Sequence, residues 1–391
     1  MPNKPHSLLP NTHSPLKQPK VALVHDWLTG PGGAEKVLLN LHQMYPDAPI
    51  YTSVYNAEKA WPEFKKLDIR TTWLQKIPLA KTKHQLFPML RPLAFRSLDL
   101  HEYDIVISIT TSDAKAVRTN KNQLHICYCN TPTRYYWSHY EQYKREPGFG
   151  WLNPLVRLFI PLFVRIMRRV DLRAAAGVDV FIGNSSAVSE RIQKYYHRES
   201  YTLFPPVETN RFTLPSEEKR QGLLVTGRQV PYKRIDLAIE AANKLGLPLH
   251  ILGSGSEHDQ LVKIAGPTVT FQTKASNQEM VAAYQSAELY LYPGEEDAGI
   301  VPLEAMACGT PIVGFKKGGI IDSVIDGQTG VLFDRQTVSS LCEAIVRART
   351  ISFDRLLISK HVLQFSETKF RQHLADIVKK EWESFNSENG L

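Results

Sequence analysis

Four cysteines in 391 residues are too few to staple so long a chain as a disulfide framework. Cys127-Tyr-Cys129 alternates inside an apolar run instead of following metal-ligand spacing. All four, Cys127, Cys129, Cys308 and Cys342, are expected to be reduced and structural. No apolar run approaches the roughly 18 to 20 residues that a membrane span needs. The opening MPNKPHSLLPNTHSPLKQPK is rich in Pro, Asn, Ser and Lys and lacks a secretory apolar core. Residues 1–19 are therefore expected to be a disordered leader, with the cytoplasm as the default compartment. No recognition helix, zinc finger or RNA-binding motif accompanies the basic residues, which sets nucleic acid aside. The glycines of VHDWLTGPGGAEKVLLNL and ILGSGSEH miss the spacing G-x-G-x-x-G, because Glu35 and His258 stand at its last position. A nicotinamide cofactor is thereby disfavoured.

What the chain does carry is enough apolar residue, 43% hydrophobic, for two domains of roughly 150 to 200 residues. Basic residues number 47 against 39 acidic, a net charge of +8, which favours a negatively charged partner. From residue 20, short apolar runs (KVALVHDWL, YDIVISIT, QLHICYCN, VDVFIGNS) alternate with helical periodicity, which predicts a parallel sheet wrapped by helices. Phe204-Pro205-Pro206 and the polar link LPSEEKRQ interrupt it. The pattern restarts with GLLVTGR, LPLHILGSG, TVTFQT, AELYLYP, TPIVGF and TGVLF. Two α/β domains, 20–205 and 206–365, are expected. A last helical segment from 366 to 391 either closes the second domain or crosses back to the first.

Two basic, apolar stretches stand out in the first domain, HQLFPMLRPLAFRSL at 84–98 and WLNPLVRLFIPLFVRIMRRV at 151–170. Arginine scattered along an apolar face suits an anionic membrane surface. Helices packed on the core would read the same way, and Pro88, Pro92, Pro154 and Pro161 are expected to break both stretches into short pieces.

The chemistry concentrates in EEDAGIVPLEAMACGTP. Pro302 suits a first helical turn and Leu303 to Ala307 are good helix formers ended by Gly309. Gly299, Ile300 and Val301 then present backbone N–H groups at a helix N-terminus, an anion site by its dipole and orphan donors. Glu304, one turn in, and Glu296, on the preceding loop, are placed to accept hydrogen bonds from hydroxyls beside that anion. Acids in a first helical turn that merely stabilise the helix are the plainer alternative. Upstream, VTGRQVPYKRID sets Arg228 and Lys233 at the carboxyl edge of the second sheet, where they would neutralise a diphosphate. In the first domain Gly32 and Gly33 open a helix after a strand that ends in His25 and Asp26.

The series HDWLTGPGGAEKVL, TPTRYYW, FIGNSSAVSERIQKYY, FPPVETNRF, GRQVPYKRID and EEDAGIVPLEAMACGTPIV, in this order over about 290 residues, resembles the retaining GT-B glycosyltransferases of family four, the bacterial mannosyltransferase-like group. The resemblance implies two Rossmann-like domains facing across a cleft, with nucleotide on the second, acceptor on the first, and the C-terminal helix crossing back. Carried over by motif, Arg228 and Lys233 hold the donor diphosphate and Glu296 lies near the donor sugar. Glu304 lies at the ribose, Gly299, Ile300 and Val301 give backbone contacts, and Gly32 and Gly33 approach the diphosphate. Asn130 replaces a histidine usual in the family, Ala298 an aromatic and Thr273 a glycine. His25, Asp26, Asn130 and Arg134 are then the candidates on the acceptor side. The implied reaction moves a hexose, mannose from GDP-mannose as the leading donor, to a glycan or lipid-linked acceptor in surface polysaccharide synthesis, without metal. A sugar-nucleotide epimerase or a non-catalytic partner of another transferase competes with it.

Overall fold

The computed structural model describes residues 19–145, 153–215 and 220–389. The expected leader lies, Pro19 apart, outside the described residues, as do Trp151 and Leu152 of the second basic stretch.

The first domain is a seven-stranded parallel sheet of β1 Val21–His25, β2 Ile50–Thr52, β3 Ile69–Thr71, β4 Ile105–Thr110, β5 Leu124–Cys129, β6 Val180–Gly183 and β7 Ser200–Thr202. Its strand order is β3-β2-β1-β4-β5-β6-β7. The second is a six-stranded parallel sheet of β8 Leu223–Thr226, β9 Leu249–Leu252, β10 Val269–Gln272, β11 Leu289–Tyr292, β12 Ile312–Phe315 and β13 Gly330–Phe333, ordered β10-β9-β8-β11-β12-β13. Helices cover both faces, so every residue of β1, β4 and β5 is buried, and these strands read as unbroken apolar runs. Within β5 the side chains alternate. Cys127 and Cys129 pack with Phe181, Val188 and Tyr196, whereas Tyr128 turns to the opposite layer. The four cysteines are free and buried.

In each sheet the chain leaves the central pair in opposite directions, β1 against β4 and β8 against β11. Such a switch point opens a crevice at the carboxyl ends of the strands, where ligands bind in this architecture. Together the two domains form the GT-B fold.

The C-terminal helix Glu367–Asn389 packs on the first domain. Phe370, Leu374 and Val378, at i, i+4 and i+8, join the core built by Leu23, Ile126 and Tyr128. The Phe370 ring meets Tyr128 edge-on at 6.0 Å, and Asn40 donates to Glu367 at 3.1 Å. The outgoing and returning chains pair where they cross, Val207 N–H donating to Phe365 O at 2.9 Å.

The helix Asn153–Ala176 runs through Pro161 unbroken, against the expectation that proline would divide it. Its inner face is tied down by Asp171, a buried carboxylate. Asp171 takes the Lys115 ammonium at 2.7 Å, Trp137 Nε1–H at 2.7 Å and the Tyr196 hydroxyl at 2.8 Å. Buried, charge-assisted contacts of this kind favour the intact helix against the roughly 3 kcal/mol that an interior proline costs. Pro92 likewise sits inside a short helix, Leu90–Arg96. No described helix is long and apolar enough to cross a membrane.

Candidate active site

The loop after β11 turns into the helix Ile300–Ala307. Gly299 is its N-cap with φ +74°, a left-handed conformation that glycine adopts without a Cβ penalty. Helix therefore begins two residues before Pro302, so Ile300 and Val301, expected on the loop, are its first turn and direct their N–H groups outward. The loop after β8 lies alongside. Gly294 allows this approach, since a Cβ there would stand 2.7 Å from the Lys233 Cα. Lys233 Nζ sits 2.8 Å from Glu296 Oε1. Arg228 is exposed, its guanidinium 3.4 Å from the Tyr232 hydroxyl, and it forms no ion pair among the described residues. Arg234, next in chain, holds φ +52° as the N-cap of Ile235–Leu245. A non-glycine residue there costs about 1–3 kcal/mol, and its guanidinium is pinned by Asp236 at 2.9 Å.

Glu304 faces the first domain. Its Oε1 is 3.1 Å from Lys36 Nζ and its Oε2 accepts from the Tyr284 hydroxyl at 3.3 Å. Burial pushes the Glu304 carboxyl upward and Lys36 opposes that shift. Burial also works against the Lys36 charge, but Glu304 and Glu208, the latter at 3.0 Å, outweigh it and hold the ammonium above its usual range. Beside this pair the glycine loop meets the helix Ile300–Ala307, for a Cβ on Gly33 would stand 3.0 Å from Ile300 Cδ1. Gly32 is backed by the Glu35 carboxyl, which burial pushes up to about 7.

A second cross-domain contact centres on Asp297, the residue after Glu296. The residue is 8% exposed, and its carboxylate takes Arg134 at 2.6 Å and Arg191 on its other oxygen. Burial raises an acid's pKa, yet the two guanidinium groups prevail and hold Asp297 below the usual carboxylate range. They border an interdomain cavity of about 630 Å³ that Tyr232, Arg234 and Lys317 also line.

The remaining acceptor-side candidates are more enclosed. Asp26 is 1% exposed, and its oxygens accept the backbone N–H groups of Thr111, Ser112, Asp113 and Ala114. It closes the turn after β4 and presents no free lone pair to the cleft. His25 Nδ1 accepts the Asp26 N–H at 3.0 Å, and Nε2 lies 3.7 Å from Glu35 Oε1. Burial lowers the imidazole to about 4, partly offset by Asp26. Asn130 stands half-buried beyond β5, its amide 3.4 Å from Thr110 O. Arg134 alone of the four reaches across the cleft.

Lys36, Glu208, Arg191 and Asp297 were not identified from sequence. Lys36 in AEKVLL and Arg191 in SERIQKYY have the spacing of solvent-facing helix positions. Asp297 had one visible signal, its place beside Glu296 in a run of three acids, Glu295 to Asp297.

Residues 206–351 match the family described as "Glycosyl transferases group 1". A stretch of 169 residues is 34% identical to D-inositol 3-phosphate glycosyltransferase of Mycolicibacterium smegmatis, spanning 40% of this chain and 38% of that relative. The Mycobacterium tuberculosis protein of the same name is 35% identical over 144 residues, 34% of this chain and 30% of the relative. Two solved structures share the whole architecture. Anabaena HepE in complex with UDP gives a TM-score of 0.67 at 17% identity, over 92% of this chain and 100% of that one. Sucrose-phosphate synthase from Thermosynechococcus elongatus gives 0.70 at 15% identity, over 93% and 99%.

Proposed function

We propose that the protein is a retaining glycosyltransferase that moves a hexose from a sugar nucleotide to a glycan or lipid-linked acceptor in bacterial surface polysaccharide synthesis. The observation that carries this reading is the convergence of Lys233, Glu296, Glu304 and the N-terminus of Ile300–Ala307 at the second switch point. The helix N-terminus and the Arg228 and Lys233 cations suit a diphosphate. The two carboxylates suit the hydroxyls of a ribose and a hexose flanking it. The match of residues 206–351 to group 1 glycosyl transferases supports the same assignment.

In this reading the diphosphate departs against Lys233 and Arg228, whose preorganised charge stabilises the developing anion without a metal. His25 is neutral at pH 7, with one nitrogen engaged by the Asp26 N–H and the other turned toward Glu35. Asp26 is filled by backbone donors. Neither offers a base, which favours proton transfer from the acceptor hydroxyl to the departing phosphate oxygen on the same face.

GDP-mannose is the first donor to test. UDP-glucose is the second, because the HepE neighbour was also solved in complex with UDP-glucose. The test supplies each labelled donor with a crude lipid and glycan extract and follows label into product and nucleoside diphosphate into solution. The reading requires transfer with the donor's anomeric configuration kept. Inverted product, or loss of the sugar without an acceptor, overturns it.

A further inference from the structure

The two basic, apolar stretches of the first domain meet in space. Residues from Gln85 to Arg91 and the helix Asn153–Ala176 wall a groove of about 690 Å³ that also contains Tyr135 and Tyr136. Leu86, Leu155 and Phe159 line it and are each more than half exposed. Beyond it, Leu158, Leu162 and Ile166 continue an outer stripe at i, i+4 and i+8, and Met89 and Leu93 do the same on the facing wall.

This helix has two apolar faces. Val164, Met167 and Ala175 are buried against the domain, which is all that a surface helix requires, while the outer stripe is uncovered. A contiguous apolar patch on that scale marks an interaction site. The Tyr136 hydroxyl at the groove is buried and has no hydrogen-bond partner among the described residues.

Charge identifies the occupant. From Arg70 to Leu98 and from Asn153 to Val170 the chain contains no Asp or Glu. Lys81, Lys83, Arg96, Arg157, Arg165 and Arg169 are all exposed around the apolar surface. An anionic bilayer offers negative headgroups and hydrocarbon at adjoining depths, matching cations interleaved with leucines and a groove wide enough for a chain. An acidic protein partner would match the cations but not the groove.

We propose that this face docks on an anionic lipid bilayer and that the groove takes one hydrocarbon chain. The inference goes beyond the donor chemistry above and does not depend on it. The two sites are nonetheless adjacent in the chain. Tyr135 and Tyr136 directly follow Arg134, whose guanidinium holds Asp297 in the cleft, so docking would set the acceptor side of the cleft at the lipid surface.

The test mixes the full chain with vesicles of phosphatidylglycerol and phosphatidylcholine, and with vesicles of phosphatidylcholine alone, and measures the pelleted fraction. Binding to the mixed vesicles is expected, weaker by about tenfold or more on neutral ones and at high salt. The double variants Leu158→Glu with Phe159→Glu, and Arg165→Glu with Arg169→Glu, should each lose a similar factor while keeping the wild-type melting temperature. Equal binding to neutral vesicles, absence of binding to anionic ones, or unaltered binding by the leucine–phenylalanine variant overturns the proposal. So does a lipid-free dimer that this variant dissociates, which would make a second copy the cover. Vesicle binding by a protein that recognises no sugar nucleotide would support docking and overturn the donor reading.

Discussion

Lys36 in the first domain and Glu304 in the second stand 3.1 Å apart across the cleft, so the carboxylate proposed for the ribose is already in contact with the opposite domain. A donor held by Glu304 would thereby couple its affinity to the contact between the domains. A double-mutant cycle on Lys36→Met and Glu304→Gln, read on donor dissociation constants, should give an interaction of about 1–3 kcal/mol. Additive losses would separate closure from ribose binding.

Asp297 answers two arginines, and removing it leaves both facing each other. Asp297→Asn should favour an open arrangement, seen as a larger radius of gyration in solution scattering. Truncating one partner of a buried, hydrogen-bonded charge pair costs about 2–5 kcal/mol, enough to shift a closure equilibrium more than tenfold. An unchanged radius with unchanged donor affinity would reduce the contact to an incidental one.

Lys233 is proposed to act on the departing diphosphate. Lys233→Ala should lower kcat by about a hundredfold to a thousandfold, the usual loss of one preorganised electrostatic group, with a smaller change in KM. Arg228→Ala should act in the same direction. A purely structural Lys233 would lower the melting temperature and leave kcat intact.

Burial holds Glu35 at about 7 against an ordinary 4.5. Between those values the folded protein keeps a proton that the unfolded chain has lost, so this group's contribution is full below pH 4.5 and disappears as pH rises through 7. His25, lowered to about 4 from 6.5, acts oppositely, since the unfolded chain holds the extra proton from pH 4 to 6.5. Subtracting the Glu35→Gln melting profile from the wild-type profile isolates the glutamate. Wild type should lose up to about 3 kcal/mol relative to the variant from pH 4.5 to 7, and a flat difference would show that Glu35 titrates normally.

Phe370 carries the returning helix into the first core, 1% exposed and edge-on to Tyr128. Phe370→Ala should cost about 3–5 kcal/mol, measured by denaturant unfolding of the first domain, while nucleotide recognition by the second domain persists.

Strand content and the two-domain division were legible because fully covered parallel strands such as IVISIT and LHICYC are apolar along their whole length. That Glu296, Glu304 and Lys233 would lie together was legible for a related reason. Gly299, Glu304 and Lys233 lie close to the ends of elements whose order follows from the alternation. Contacts between domains were not. Lys36 and Arg191 have the sequence spacing of ordinary exposed-helix positions, and only the facing crevices bring them to Glu304 and Asp297. Nor was the setting of Asp26 legible, since its place at a strand end does not show that its oxygens serve four backbone donors. Pro161 misled, because the contacts that hold its helix on the domain at Asp171 come from residues far away in sequence.

The central claim is that a sugar nucleotide binds against Ile300–Ala307 and Glu304. The most direct measurement is the melting temperature of wild type and Glu304→Ala against GDP-, UDP-, dTDP- and ADP-sugars. A ligand confined to the folded state stabilises it by about 2.7 kcal/mol at a hundred times its Kd. The account predicts a rise with one nucleotide class that is lost or strongly reduced in the variant. No rise with any of them, or an equal rise in Glu304→Ala, would contradict it.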